Sequence, residues 1–172
     1  MTFIYGLLTG LAFAIFFPVK FEKIKKKISG ANITTDILVG FPGENEDDVK
    51  ATLDVIKAAE FDSLFAFKYS KRPGTESYKF DDDVPLAEKE ERLDRVLELG
   101  NGISTAKNAK LVNTLQEVLV ETGSGGFFEG RTRDNKKVSF ESGIDMIGKL
   151  ATVKITEVKI NSLSGKLEQV LR

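Results

Sequence analysis

Two short runs of the sequence hold the side chains best suited to chemistry. The first is Gly40-Phe41-Pro42-Gly43-Glu44, followed further along the chain by Tyr69-Ser70-Lys71-Arg72-Pro73-Gly74-Thr75. Two glycines and a proline fit a tight turn. Such a turn lets backbone approach a ligand closely while the helix after it presents its N-terminus to the ligand's polar end. The same residues also suit a plain turn, with Glu44 complementing the dipole of the next helix. Arg72 can hold a carboxylate or phosphate in a two-pronged fork, or it can sit in solvent or against an acid such as Asp62. The second run is Arg131, Arg133, Asn135, Lys136 and Lys137, with Phe127 and Phe128 just before it. Cations beside aromatic rings suit phosphates and unstacked bases, although a polar hairpin with core phenylalanines has the same composition.

Other chemistry is excluded by what the chain lacks. It has no cysteine and no histidine among 172 residues. Thiolate nucleophiles, disulfides, cysteine-held clusters and the usual zinc and proton-shuttle ligands go together. Nothing in the sequence marks a catalytic residue. A net charge of -1 does not steer the molecule toward polyanions, so a nucleic-acid site has to be a local patch. Asp81, Asp82 and Asp83 are consecutive and point different ways, which suits a solvated linker better than a metal site. The Glu-Lys-Glu-Glu-Arg run at 88–92 reads as a solvated helix face.

The elements that must position these groups follow from periodicity. Phe21, Ile24 and Ile28 lie at helical spacing among lysines, and Gly30 closes that short helix. Asn32 to Val39 is β-branched and apolar and reads as a buried strand ending in the 40–44 turn. Asn45 or a neighbour caps a helix with Glu46, Asp47 and Asp48 in its first turn and Val49, Leu53, Ile56 and Ala59 as its inner stripe. Ser63 to Tyr69 is a second buried strand. Strand, helix and strand in so short a span make a right-handed parallel crossover, so both following loops open at the same end, where α/β proteins bind ligands. A long charged helix is expected from Leu86 to about Lys110, with Leu93, Val96 and Leu97 inward. From Asn113 the texture changes to short strands separated by glycines, with a final hairpin turning through Asn161 to Gly165. That spacing predicts a small antiparallel barrel of five strands.

Met1 to Phe17 is almost wholly apolar, and Lys20, Lys23 and Lys25 to Lys27 follow it. A short membrane anchor with a cytoplasmic body, a piece of buried core, and a shifted start or reading frame all fit this segment. The expected organisation is residues 1–20 as the apolar segment, 21–110 as an α/β unit and 111–172 as the barrel.

Three motifs occur in order: Thr34 to Glu44 (TTDILVGFPGE), Phe61 to Thr75 (FDSLFAFKYSKRPGT) and Gly130 to Glu141 (GRTRDNKKVSFE). Together they resemble the radical-SAM methylthiotransferases that modify tRNA, from about Phe21 to the C-terminus. Within that family they resemble the branch acting on isopentenyl- or dimethylallyl-adenosine next to the anticodon. The resemblance implies an α/β fold that is the last part of a (βα) radical-SAM barrel, followed by a TRAM domain, a small OB-like β-barrel that holds RNA. It implies S-adenosylmethionine at Gly40, Phe41, Pro42, Gly43, Glu44 and Arg72. It implies a tRNA anticodon stem-loop at Arg131, Arg133, Asn135, Lys136 and Lys137, and a cytoplasmic setting. The family's 4Fe-4S clusters need thiolates that this sequence does not have, so by itself the chain is expected to be inactive. A non-catalytic RNA-binding protein, membrane-tethered through residues 1–17, is the alternative expectation.

Overall fold

The computed structural model describes residues 23–28 and 30–171. The apolar segment considered as an anchor, with Phe21, lies outside them. The chain divides into two compact units, Met1–Ile103 and Ser104–Arg172.

The first unit is built on a strand-helix-strand crossover. Strand β1 (Thr34–Val39) and strand β2 (Ser63–Lys68) pair in parallel, Thr34 opposite Ser63 through Val39 opposite Lys68. The Tyr69 N–H extends the ladder by donating to the Val39 carbonyl at 2.8 Å. Helix α1 (Glu46–Ala59) connects them. It starts where expected because Asn45 accepts from the N–H groups of Asp47 and Asp48, while Asp48 Oδ2 accepts from the Asn45 N–H at 3.0 Å. This reciprocal cap satisfies donors that the first turn would otherwise leave bare, a contribution of about 1 kcal/mol. Val49, Ile56 and Ala59 form the buried stripe of α1. Of these, Ile56 and Ala59 pack with Val39, Phe61, Val96 and the partly buried Ile37, Leu53, Leu64, Ala66 and Leu93.

Only one face of this sheet matches the expectation of fully buried strands. Ile37, Val39, Leu64 and Ala66 join the core, while their alternating neighbours Leu38, Phe65 and Phe67 are exposed. A two-stranded parallel sheet flanked on one side keeps the period-two split of a half-buried sheet, whereas parallel sheets are ordinarily covered on both faces. The amphipathic segment before β1 is helical over residues 23–27, yet Ile24 and Ile28 are exposed.

Helix α2 (Leu86–Ala109) follows a single 3-10 turn at Glu76–Lys79. Its first part belongs to the first unit and its last turns to the second. No helix among the described residues is long and apolar enough to cross a membrane.

The second unit is a closed barrel of β3 (Leu115–Ser124), β4 (Phe127–Thr132), β5 (Lys137–Glu141), β6 (Leu150–Lys159) and β7 (Ser162–Val170), in the order β3-β4-β5-β7-β6 with β6 returning to β3. Alternate residues fill it: Val118 and Val120, Phe128, Val138 and Phe140, Ala151, Val153 and Ile155, and Leu163, with Met146 joining from the β5–β6 loop. Burying each of these side chains other than Ala151 is worth about 1.5–3 kcal/mol, so the barrel has a core of its own.

The barrel is not purely antiparallel, because β7 lies parallel to β5 and antiparallel to β6. The chain leaves β5, crosses to make β6 against β3, and returns as β7 into the remaining gap, which fixes the sense of that last pairing. The final hairpin is also tighter than expected. Asn161 takes the left-handed conformation (φ 63°) and β7 begins at Ser162, so Gly165 lies inside the strand. Gly165 is required there for another reason: a Cβ on it would stand 2.5 Å from the Lys154 carbonyl oxygen.

Candidate functional site

In the first unit, β1 and β2 end side by side, so the 40–44 turn and the 69–75 loop emerge together. Phe41 meets Tyr69 edge-on with ring centroids 5.1 Å apart, and Phe80 at 6.1 Å. The Tyr69 hydroxyl donates to the Ser77 carbonyl at 2.9 Å, which fixes the loop beyond it. Lys89 Nζ lies 5.2 Å from the centre of the Tyr69 ring, a cation–π arrangement that accompanies its ion pair with Asp82.

The turn itself is held from below. Glu44 does not cap α1, since Asn45 does. Its carboxylate instead accepts from the Gly40 N–H and from Arg92 Nη1, the latter at 3.0 Å. The same Arg92 nitrogen also donates to the Glu44 carbonyl, while Nη2 donates to Glu88 at 2.9 Å. The Gly43 N–H goes to Asp83 at 2.8 Å. The expectation of a solvated 88–92 run is therefore corrected at Lys89 and Arg92, while Asp81, Asp82 and Asp83 are exposed, as expected of a solvated linker. Lys89 and Arg92 are 4% and 6% exposed. They are buried because they face this turn and find carboxylates there, and two of the three aspartates complete the network.

Among the proposed ligand-facing residues, Gly40 has a packing reason to be glycine. It adopts a positive φ of 70°, and a Cβ there would run into the Lys89 side chain. Gly43, at φ 82°, has open space where a Cβ would stand, so backbone there is open to approach. Phe41 is exposed and Pro42 half-buried. Arg72 is exposed, and its guanidinium has no ion-pair partner among the described residues. Asp62, offered as its mate, accepts from the Ile33 N–H at 2.9 Å. Lys89 and Arg92 were missed from the sequence; their spacing of three on one helix face was the available signal. No group of three or more acids that could hold a metal occurs among the described residues.

In the second unit, the basic run forms the β4–β5 hairpin. Asn135 supplies its left-handed residue (φ 60°), and its N–H donates to the Thr132 carbonyl at 2.9 Å. Arg131 braces that turn by donating to the Asn135 carbonyl and side-chain oxygen, both at 3.2 Å. Three of the four cations pair with glutamates: Arg131 with Glu121 at 3.3 Å, Arg133 with Glu117 at 2.8 Å and Lys137 with Glu129 at 2.9 Å. Lys136 is half-buried and its N–H donates to Thr132 Oγ1 at 3.1 Å. The cluster is thus a set of exposed ion pairs, each worth at most about 1 kcal/mol. Carboxylates held that weakly can be exchanged for phosphates. The two phenylalanines divide: Phe128 is core, stacked on Phe140 at 6.2 Å, whereas Phe127 is 63% exposed.

Comparison with known proteins bears on both units. Residues 109–167 match the TRAM domain family. The chain is 46% identical over 154 residues to the tRNA-2-methylthio-N(6)-dimethylallyladenosine synthase of Thermoanaerobacter sp. (strain X514), covering 88% of this chain and 33% of that protein. It is 47% identical over 150 residues to the protein of that name from Clostridioides difficile (strain 630), covering 85% and 31%, and 40% identical over 153 residues to that of Aquifex aeolicus (strain VF5), covering 89% and 35%. The matched region is the C-terminal part of these proteins. The chain spans about a third of the length of the curated relatives it matches.

Proposed function

We propose that this chain, similar to the C-terminal part of the tRNA-2-methylthio-N(6)-dimethylallyladenosine synthases, supplies the RNA-holding barrel and one flank of the cofactor-binding barrel in a tRNA methylthiotransferase. The observation that carries this is the closed β3–β7 barrel, matched as a TRAM domain, displaying Arg131, Arg133 and Lys137 on exposed pairs that phosphates can displace. Asn135 and Lys136 shape the hairpin that presents them. The RNA is the anticodon stem-loop of tRNA, and the modified base is an isopentenyl- or dimethylallyl-adenosine. This activity belongs to the cytoplasm, where tRNA is modified.

In the first unit, the reading is that β1, α1 and β2 are the last strand-helix-strand of a radical-SAM barrel. The paired ends of β1 and β2 and the exposed Leu38, Phe65 and Phe67 support it, because a sheet face of that composition is what a barrel interior covers. S-adenosylmethionine, which supplies a methyl group and a radical in this family, would lie along Gly40–Glu44 with Arg72 beside it. The unpartnered Arg72 guanidinium suits a ligand with a carboxylate, and the space beside Gly43, whose own N–H is taken by Asp83, lets such a ligand approach. Glu44 acts as a support, since Gly40 and Arg92 occupy its carboxylate. The iron-sulfur clusters do not fit the residues present, because none of the 172 is a cysteine.

The direct experiment is titration of the 172-residue chain with an anticodon stem-loop RNA at several salt concentrations. Binding should weaken steeply, with a log–log slope of about -0.7 for each single-strand phosphate neutralised. Binding indifferent to salt, or none, overturns the RNA assignment. For the cofactor flank, Arg72→Ala in a full-length methylthiotransferase carrying this sequence should reduce tRNA thiomethylation without unfolding the protein; unchanged thiomethylation removes Arg72 from the site.

A further inference from the structure

The barrel carries a second surface that the basic hairpin does not account for. An open groove of about 590 Å³ runs over β5 and β7, bordered by Phe127 and floored by Ser139, Ser164 and Gly165. The strand register explains its shape. Phe127 lies opposite Glu141, Glu141 opposite Lys166, and Lys166 opposite Lys154, so one row of outward positions crosses four strands. The adjoining row contains Ser139 opposite Ser164, whose hydroxyls are 3.3 Å apart. Small side chains in that row, with large ones in the row beside it, make the depression.

Three features distinguish this groove from the hairpin cluster. It has an aromatic ring at its edge, and that ring is the most exposed phenylalanine among the described residues, at 63%. Its lysines, Lys159 and Lys166, have no ion-pair partner among the described residues, whereas Arg131, Arg133 and Lys137 each have one. Its floor offers hydroxyls that donate or accept, which suits a ribose. Glu141 and Glu157 line the same groove as the two lysines, so the groove is not a general phosphate trap, and stacking must add to what the lysines supply. Base–aromatic stacking tolerates any sequence and needs an unpaired base.

We infer that the β5–β7 groove is a single-stranded RNA subsite, in which Phe127 stacks on an unpaired base, the Ser139–Ser164 hydroxyl pair faces the sugar, and Lys159 and Lys166 reach the flanking phosphates. This rests on the reading that the barrel holds RNA, and it places the unpaired nucleotides on β5–β7, beside the Lys137–Glu129 end of the hairpin cluster.

The chain contains no tryptophan, so Phe127→Trp installs a sole indole reporter at the groove. Leu119→Trp installs one beside the hairpin cluster, because Leu119 is exposed and lies opposite Arg131. Each variant is titrated with a synthetic anticodon stem-loop RNA. The expected result is saturable quenching of the Phe127→Trp emission, about tenfold weaker binding by Phe127→Ala, and recovery with Phe127→Tyr. Lys159→Ala and Lys166→Ala should each lower the salt slope by about 0.7, the value for one single-strand phosphate. Binding that changes the Leu119→Trp emission, leaves Phe127→Trp silent and is insensitive to Phe127→Ala overturns the groove while the RNA reading stands. Absence of RNA binding by the unsubstituted chain overturns both. Circular dichroism and thermal melting of Phe127→Ala establish that the barrel is intact, as expected for an exposed side chain.

Discussion

Arg92 Nη1 donates to both the carbonyl and the carboxylate of Glu44, each at 3.0 Å, and so ties helix α2 to the turn after β1. Both side chains are nearly closed off from solvent, at 7% and 12% exposure. Removing one partner of a buried pair leaves the other charge without compensation, at a cost of about 3–5 kcal/mol. Arg92→Ala should therefore lower the urea midpoint of the first unit strongly. Arg92→Lys should recover little, because an ammonium cannot serve Glu44 and Glu88 with the two arms of a fork. A midpoint unchanged by Arg92→Ala would show that the turn is held by other contacts.

A second link made by helix α2, this one to α1, is pH-sensitive. Arg95 on α2 pairs with Glu46 in the first turn of α1 at 2.6 Å. The hydrogen bond from Arg95 holds the Glu46 carboxyl below the ordinary glutamate value of 4.5, and the charge of Arg95 adds to this. The Arg95 guanidinium is raised in turn, chiefly by the same hydrogen bond. For a depressed carboxyl, the stabilisation is complete above its unfolded-state value and is lost as pH falls through the folded-state value. Carbon-detected titration of Glu46 should give a midpoint below 4.5 that returns toward 4.5 in Arg95→Ala. The effect on stability should be small, because both groups face solvent.

What the sequence makes readable is local. The β-branched run into Gly40, the stripe Val49, Ile56 and Ala59, and the Asn45–Asp48 cap all lie within a few residues of the features they determine. The pairing of β5 with β7 does not, because closing a barrel decides which edges meet. Lys89 and Arg92 sit in a run that is charged at every position, and their burial depends on partners elsewhere in the chain, 48 residues away for Glu44. Likewise, the basic hairpin reads as a bare cationic patch until Glu117 and Glu121 are placed on the neighbouring strand. Phe127 and Phe128 show the same limit, since alternation puts one inside and one outside but does not say which.

Gly130 offers a test of the barrel's construction. It lies opposite Val120, and a Cβ on it would collide with the carbonyl oxygen of Leu119. Backbone cannot swing aside as a side-chain tip can, so Gly130→Ala must separate β3 from β4 or distort them. Overpacking of this kind costs about 1–3 kcal/mol. The melting temperature of the barrel should fall by several degrees in Gly130→Ala, whereas Gly143→Ala, with open space around its position, should melt near the unsubstituted chain. Equal melting of the two would mean that β3 and β4 are not held this closely.

The glutamates of the basic hairpin yield a prediction opposite in direction to most interface mutations. Glu117, Glu121 and Glu129 occupy Arg133, Arg131 and Lys137 in the free protein. If RNA phosphates replace them, each carboxylate is both a competitor for the cation and a like charge near the phosphate. The combined substitution Glu117→Gln, Glu121→Gln and Glu129→Gln removes both effects while leaving the buried core untouched. Each exposed pair is worth at most about 1 kcal/mol to folding, so the barrel should remain folded. Fluorescence anisotropy with a labelled stem-loop at low salt should show affinity rising several-fold. The gain should fade as ionic strength approaches about 1 M, where the screening length falls to about 3 Å. Unchanged affinity at every salt concentration would mean that the hairpin cations do not hold the RNA.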